Sequence, residues 1–199
     1  MVENMLKKVL EVGESPYRIK VSQEELDKYL VSPISEDEEK RILDKFKKEL
    51  KGKNKKALFI ARMQPLHYGH LLAMKIALQA AETLMIGIGS SNIADEDNPW
   101  TVEERERMLT NALEKNIDIK SGLGGIVRLP DYFLENRQYD DPKWVEETLL
   151  STGDIDVVVS NNDWVCGLLS PKHRIINPQL FNREHFQGKI IRQSLRSRK

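Results

Sequence analysis

The strongest constraint on the fold of this chain is a regular alternation of apolar and amphipathic segments, which begins at residue 57. Short apolar runs predict buried strands, and they lie at 57–61, 83–88, 125–129, 155–160 and 174–176. Segments of helical period separate them and predict helices at 69–82, 101–116, 142–150 and 163–169, with a basic helix at 188–198. Strands that alternate with helices build βαβ units, so we expect an α/β protein with a Rossmann-like, doubly wound parallel sheet and helices on both faces. Ligands of such sheets bind beyond the carboxyl ends of the strands, where the strand order reverses.

The first 56 residues are more polar and predict a small helical extension in front of this sheet. Residues 22–30 begin with the Ser-x-x-Glu spacing of a capping box, which opens a helix. A second amphipathic helix is predicted at 35–50, and 51–56 is a basic linker. We therefore divide the chain into an N-terminal extension with its linker, 1–56, and a second domain, 57–199. Short helices are marginal alone, so we expect the extension to pack on that domain or on a neighbouring chain.

Charge and cysteine content exclude several classes of protein. The 31 basic and 31 acidic residues cancel, so no overall field favours nucleic acid or lipid as a partner. No apolar run reaches the roughly 18 residues of a membrane span, and residues 1–10 lack a secretory signal. Cys166 is the sole cysteine, which rules out an internal disulfide and a thiolate metal cluster. We expect a cytoplasmic protein without membrane or nucleic-acid partners, and a homo-oligomer stays open.

The segment at 61–70, Ala-Arg-Met-Gln-Pro-Leu-His-Tyr-Gly-His, joins the first predicted strand to its helix, where parallel sheets bind phosphate. Pro65 disfavours helix in the residue before it and forces a turn. Gly69 allows the backbone to approach a ligand closely. His67 and His70 are three residues apart at the helix entrance, so they share one face. The helix amides and the positive end of the helix dipole point to the same place, which predicts a polyphosphate site.

Two other interpretations of these histidines are open. A single histidine near a helix start is commonly a cap or a surface residue. A zinc site is the other possibility for His67 and His70, but no nearby cysteine or third histidine completes it. Two histidines that flank a glycine directly after a strand favour the phosphate site, and no protein metal site is expected.

The segment at 61–70 resembles the (G/A)-R-x-Q-P-x-H-x-G-H signature of the HxGH nucleotidyltransferase superfamily. Further segments are similar to one branch, the archaeal-type nicotinamide mononucleotide adenylyltransferases. They are the second-strand motif at 86–91, Asn98-Pro99-Trp100-Thr101 with Glu104 and Arg105, Leu129-Pro130-Asp131, Trp144-Val145, Ser160-Asn161-Asn162, and Gly188-Lys189-Ile190-Ile191-Arg192. The resemblance covers residues 57–192 and does not extend to 1–56.

The resemblance implies a reaction and a set of residues. In that family the phosphate of nicotinamide mononucleotide attacks the α-phosphorus of ATP in line, which forms NAD and pyrophosphate without a covalent enzyme intermediate. The implied catalytic residues are His67, His70 and Arg62. The implied ATP-binding residues are Ala61, Arg62, His67, Gly69, His70, Asn162, Lys189 and Arg192. The implied acceptor-binding residues are Gly89, Ser90, Asn98, Trp100, Arg105, Asp131 and Trp144, with Trp144 stacking on nicotinamide. Mg²⁺ is implied as the cofactor of ATP, held mostly by phosphates and water.

Several of these residues also have plainer interpretations. These are core or surface packing for Trp144, a solvated helix surface for Arg105 and Arg192, and a helix cap for Thr101 and Glu104. Asn162 has the alternative of a turn, and the acidic run 95–97 that of a solvated loop. The cap is compatible with a binding role, and the acidic run also has the chemistry to steer magnesium.

Three positions depart from the family pattern. Ala61 replaces a glycine, and Gln187 and Lys189 replace a serine and a threonine whose hydroxyls would contact phosphate. Three functions therefore stay open: NAD formation, transfer to another phosphorylated acceptor or from CTP, and a nucleotide-binding module with weak catalysis that engages a partner through residues 1–56. Trp144 and the 98–101 segment favour the first, the missing hydroxyls favour the third, and the intact signature counts against the third.

Overall fold

A computed structural model describes residues 15–49, 54–178 and 187–197 of the chain. The helices are α1 (Gln23–Asp27), α2 (Glu36–Glu49), α3 (Tyr68–Ala80), α4 (Val102–Glu114), α5 (Ile117–Ser121), α6 (Asp141–Thr152), α7 (Asp163–Leu169) and α8 (Gly188–Arg196). A short 3-10 helix, Lys28–Leu30, follows α1. The strands are β1 (Asn54–Ala61), β2 (Ala81–Gly89), β3 (Leu123–Leu129), β4 (Val157–Val159) and β5 (Arg174–Ile176).

The strands form one parallel sheet with the order β3-β2-β1-β4-β5. The chain runs outward from β1 through β2 to β3 and then returns to the other side of β1, so the strand order reverses between β1 and β4. This confirms the predicted doubly wound sheet and places its switch point between the carboxyl ends of these two strands.

Alternate side chains of β1 pack into two cores, one on each face of the sheet. Ala57 and Phe59 belong to the core that α3, α4 and α8 cover. Leu58 and Ile60 belong to the opposite core, which α6 and α7 cover. This period of two in a strand buried on both sides is typical of a central parallel strand, and it confirms helices on both faces.

The N-terminal extension packs on the first of these cores. Ile19 and Leu26 are buried in it, and α2 contributes Ile42, Leu43 and Phe46. The α2 helix lies against α3, which agrees with the expected contact between extension and domain. The division of the chain at residue 56 into two units stays a prediction.

Several element boundaries differ from the prediction. The predicted end of the linker at residue 56 was wrong, because β1 begins at Asn54 and pairs there with Ala81. Residues 51–53 lie outside the described part. The helix predicted to residue 82 ends at Ala80 because β2 begins at the next residue. The short helix α5 was not predicted, since five residues are too few to show a helical period. The predicted ends of α2 at residue 50 and of α8 at residue 198 lie outside the described residues.

In the described part of the chain, no helix combines the length and the apolar character needed to cross a membrane.

Candidate active site

A cleft of about 1090 Å³ opens at the switch point of the sheet. Its floor is the carboxyl end of β1 and the residues that follow β4. Of the residues predicted for ATP, the cleft is lined by Ala61, Arg62, His67, Gly69, His70, Asn162, Lys189 and Arg192. Of those predicted for the acceptor, it is lined by Gly89, Ser90, Asp131 and Trp144. The cleft therefore brings together most of the predicted site residues from six separate segments of the sequence.

The loop after β1 is held in place by the side chain of Gln64. The Gln64 amide donates from Nε2 to the carbonyl of Trp100 at 2.9 Å and accepts from the Trp100 amide at 3.2 Å. Gln64 is 3% exposed, so both bonds are made away from water and neither partner is left unsatisfied. They join the loop with the two histidines to the segment at 98–101.

The two histidines lie face to face at the start of α3. Their ring centroids are 3.8 Å apart, and the planes are inclined by 29°. The backbone amide of His67 donates to Nδ1 of His70 at 3.2 Å. Because Nδ1 accepts this bond, the neutral His70 ring carries its proton on Nε2, and that N–H is the donor it can offer a ligand. Within the described residues, Nδ1 of buried His67 has no hydrogen-bond partner.

Burial keeps both imidazoles neutral. Desolvation lowers the pKa of His70 to about 4. Desolvation, reinforced by the neighbouring His70, lowers the pKa of His67 well below its usual value. Charged imidazolium rings 3.8 Å apart would repel each other, so the pair is built to donate hydrogen bonds without fixed charge.

Positive charge in the cleft comes from Arg62, Lys189 and Arg192. Arg62 and Lys189 are exposed, whereas Arg192 is 5% exposed. Arg192 donates from Nη1 to the Gln64 carbonyl at 2.7 Å and from Nη2 to Asp97 at 2.6 Å. The hydrogen bond and charge of Arg192, with the charges of Arg62 and Lys189, hold the pKa of Asp97 below its usual value. The interpretation of Arg192 as a surface residue was wrong.

Three predicted acceptor residues, Asn98, Trp100 and Arg105, lie behind the wall of the cleft rather than on it. They are buried, with exposures of 3%, 2% and 0%. Arg105 donates to the carbonyls of Arg62 and Gly89 at 2.8 Å each and of Ser90 at 3.1 Å. It ties the ends of β1 and β2 together, so the interpretation of Arg105 as a solvated helix residue was wrong. Burial lowers its pKa to about 10, which leaves it charged at neutral pH.

The caps that the sequence predicted around the site are present. Thr101 and Glu104 form a reciprocal capping box on α4. The side-chain oxygen of Asn162 accepts from the amides of Trp164 and Val165 and caps α7. The acidic run 95–97 is the exposed loop that the sequence predicted, since Glu96 and Asp97 are solvent-exposed. Within it, Oδ1 of Asp95 accepts from the backbone amide of Asp97 and from the backbone and side-chain amides of Asn98.

An aromatic wall, which sequence analysis largely missed, closes one side of the cleft. Trp144 is only 2% exposed, and its ring packs at 4.7 Å between centroids against Trp164. Trp164 in turn contacts Tyr139 at 5.3 Å, and both line the cleft. Trp164 donates from Nε1 to Asp141 at 3.2 Å. The available sequence signal was a tryptophan two residues after Asn162.

At the opposite side of the cleft, the start of α8 lies against the loop that follows β1 and contains Gln64. A Cβ atom on Gly188 would lie 2.6 Å from the backbone oxygen of Gln64, so this position requires glycine. The neighbours Gln187 and Lys189 line the cleft. The departures from the family pattern therefore lie at the cleft itself. Among the described residues, no group of three or more His, Cys, Asp or Glu side chains is arranged to hold a metal ion.

A sequence model of the cytidylyltransferase-like family matches residues 58–193. The chain belongs to this family. Two similar proteins are named nicotinamide-nucleotide adenylyltransferase. The one from Archaeoglobus fulgidus is 32% identical over 142 residues, which cover 70% of this chain and 79% of the relative. The one from Methanolobus tindarius is 34% identical over 143 residues, which cover 71% and 77%. These relatives confirm the predicted resemblance to the archaeal-type enzymes and make the chain a nucleotidyltransferase.

Two solved structures share the fold. One is a bifunctional NMN adenylyltransferase/ADP ribose pyrophosphatase from Francisella tularensis, with a TM-score of 0.57 at 24% identity, which bears on the fold alone. The other is such an enzyme from the same organism, complexed with AMP and a manganese ion, with a TM-score of 0.53 at 27% identity. Each match covers 70% of this chain and 41% of the bifunctional enzyme. The chain thus spans less than half the length of either enzyme.

Proposed function

We propose that this protein transfers the adenylyl group of ATP to nicotinamide mononucleotide, forming NAD and pyrophosphate. The observation that carries the proposal is the pair of neutral, stacked imidazoles at the start of α3, at the switch point of a sheet. It is supported by the names of the relatives and by the aromatic wall across the same cleft.

On the ATP side, His70 donates from Nε2 to the oxygens around the α-phosphorus, where charge builds up during the in-line attack. A donor that is already oriented stabilises that charge without reorganisation. Arg62 and Lys189 bind the outer phosphates as exposed cations. Transfer of this kind needs positioning and charge stabilisation more than a protein nucleophile, which fits a cleft lined by two imidazoles and three cations.

On the acceptor side, we assign the stacking role to Trp164 rather than to Trp144. Both tryptophans line the cleft, but Trp144 is 2% exposed whereas Trp164 is partly exposed. Trp164 therefore offers more of its ring to nicotinamide, and Trp144 packs against it. An aromatic face attracts a positively charged ring, and tryptophan does so best. Ser90 and Asp131 line the acceptor side of the cleft, and Arg105 fixes the carbonyls of Gly89 and Ser90 there.

Mg²⁺ accompanies ATP in this proposal. The cleft fits an ion that is held chiefly by the phosphates, since its exposed carboxylate is Asp97 and the described residues form no metal cage. The related enzyme complexed with AMP and a manganese ion supports a divalent cation. When bound, the ion neutralises charge on the phosphates, and Asp97 would hold its water ligands.

The test is a chromatographic assay for NAD formed from ATP and nicotinamide mononucleotide, with and without Mg²⁺. Parallel reactions replace ATP by CTP, or nicotinamide mononucleotide by other phosphorylated acceptors. NAD as the main product supports the proposal. Product only with CTP or another acceptor assigns the related transferase activity, and ATP binding without any product assigns a nucleotide-binding module.

A further inference from the structure

The N-terminal extension contacts the core next to two residues that shape the active site. Residues 15–49 lie outside the family match at 58–193, so this segment is an addition to the family fold. Two of its side chains, Glu39 and Arg18, bind partners that are direct sequence neighbours of His67 and Arg105.

The first contact is made by Glu39 on α2. One carboxylate oxygen accepts from the hydroxyl of Tyr68, the residue between His67 and Gly69, and the other accepts from Nζ of Lys75 at 2.5 Å. Tyr68 and Lys75 are seven residues apart on α3 and lie on the same face two turns apart. A single carboxylate that holds both fixes the rotation of α3 about its own axis, and with it the direction of the histidine rings.

The surroundings make this contact strong. Tyr68 is 3% exposed, and the side chains of Glu39 and Lys75 are 16% and 21% exposed. Partial burial alone would raise the pKa of Glu39, but the hydrogen bonds from Lys75 and Tyr68 outweigh it and hold the pKa below the usual value. Glu39 is thus charged at neutral pH, and a hydrogen bond to a charged group is stronger than one between neutral groups.

The second contact is made by Arg18 before α1. Its Nε lies 2.8 Å from Oε1 of Glu104, whose side chain is 8% exposed. The other oxygen of Glu104 accepts from the backbone amide of Thr101 at 2.9 Å and completes the cap of α4. The next residue, Arg105, holds the carbonyls of the loops after β1 and β2. The extension therefore holds α4 at the turn from which Arg105 reaches into the site.

We infer that residues 15–49 are a positioning clamp for the active site, acting through Glu39 on Tyr68 and through Arg18 on Glu104. Neither residue touches substrate; each fixes the element from which a site residue projects. The inference rests on the proposed function for its kinetic test. A misplacement of about 1 Å in a group that orients reactants can cost on the order of 100-fold in rate, so the clamp acts on catalysis well before the fold is lost.

The test compares two conservative variants with a matched control. Tyr68→Phe removes only the hydroxyl, and Glu39→Gln removes the charge with little change of shape. The control, Asp27→Asn, breaks another ion pair between extension and core, where Asp27 lies 2.6 Å from Nζ of Lys115. Lys115 follows the C-terminal end of α4, about 15 Å along the helix from Arg105. The control thus weakens the contact between extension and core at a point distant from the site.

Steady-state kinetics are measured with each substrate varied in turn, well below each variant's melting temperature. We expect Tyr68→Phe and Glu39→Gln to raise the KM for ATP or lower kcat by roughly tenfold, the lower end of what one hydrogen bond to a charged group is worth. The KM for nicotinamide mononucleotide should change less. The double variant should lose less than the sum of the two single losses, since both changes act on the contact between Glu39 and Tyr68. Asp27→Asn should stay within twofold of the wild type.

A second readout does not depend on the acceptor. The Hε1 signals of His67 and His70 in NMR spectra, and the affinity for a non-hydrolysable ATP analogue by calorimetry, should change in the two clamp variants and not in the control. The inference is overturned if the clamp variants only melt earlier with kinetics and histidine signals unchanged, or if Asp27→Asn causes an equal loss. If the wild type makes no NAD, the proposed function is wrong. The affinity for the ATP analogue and the histidine signals then still test whether residues 15–49 position the active site.

Discussion

The buried histidine pair makes the stability of this protein depend on pH in the weakly acidic range. Desolvation lowers the pKa of His70 from 6.5 to about 4. Between those values the unfolded chain binds a proton that the folded chain excludes, so the free energy of unfolding falls as the pH falls. The contribution is present in full above pH 6.5 and is lost progressively toward pH 4. From pH 7 to pH 5 the loss attributable to His70 is about 2 kcal/mol.

Because His70 keeps a partly exposed edge at the cleft, this figure is an upper value. The assay is urea unfolding at pH 7, 6 and 5 for the wild type and for His70→Gln. Glutamine retains an acceptor for the amide of His67, as in a capping box, but does not titrate. His173→Asn serves as the control, because His173 lies outside the cleft lining. The wild type and the control should lose about 2 kcal/mol more than His70→Gln between pH 7 and pH 5. Equal losses in all three proteins would refute the burial argument.

Four further substitutions test separate parts of the site. Arg62→Lys keeps the charge but loses the planar fork, so it should raise the KM for ATP more than that for nicotinamide mononucleotide; equal effects on both KM values would count against the assignment. Trp164→Ala should weaken nicotinamide mononucleotide binding about thirtyfold, the equivalent of roughly 2 kcal/mol of desolvated cation–π contact, with ATP affinity level. Trp144→Ala should mainly lower the melting temperature. If calorimetry finds instead that Trp144→Ala weakens nicotinamide mononucleotide binding and Trp164→Ala does not, the stacking residue is Trp144. Gly188→Ala places a methyl against the Gln64 carbonyl and should destabilise by about 1–3 kcal/mol in urea unfolding; an unchanged midpoint would show that α8 shifts freely.

The sheet and its switch point were accessible from the sequence because both depend on local patterns. The run 57–61 reads as a buried strand, and β1 buries Leu58 and Phe59 on opposite faces. The signature at 61–70 follows directly on this strand in the sequence. Its position at the carboxyl end of β1 could therefore be predicted from the order of residues alone. The helix start at Tyr68 and the capping box of α4 are equally local and were within reach of the same analysis.

The roles of the buried arginines were not accessible, because each depends on groups distant in the sequence. Arg192 meets Gln64 and Asp97, which are 128 and 95 residues away. Arg105 is satisfied by carbonyls that end two different strands. Burial of a guanidinium is costly unless several acceptors converge on it, and convergence is a property of the fold rather than of a helical or strand period.

The aromatic wall shows a limit of transferring a role by motif alone. The pair Trp144-Val145 fits the family pattern, but the neighbour that covers Trp144 is Trp164, on the next helix. A stacking residue needs an exposed face, and the sequence does not say which of two packed tryptophans has one. In the structure Trp144 is 2% exposed and Trp164 is partly exposed, and this difference is the basis for the proposal that Trp164 stacks on nicotinamide.

The charges of the cleft suggest why its histidines are kept neutral. Arg62, Lys189 and Arg192 already supply three cations, and in the absence of nucleotide they act together on Asp97. An incoming triphosphate competes with that carboxylate for the same cations, so binding exchanges one anion for another. Two additional imidazolium charges would tighten ground-state binding of ATP and of pyrophosphate alike, which does not accelerate the chemical step. Under the proposed function, neutral donors beside the α-phosphorus gain strength as charge develops there. The burial that lowers the histidine pKa values would then serve catalysis, and the same burial causes the loss of stability in acid that the unfolding experiment is designed to measure.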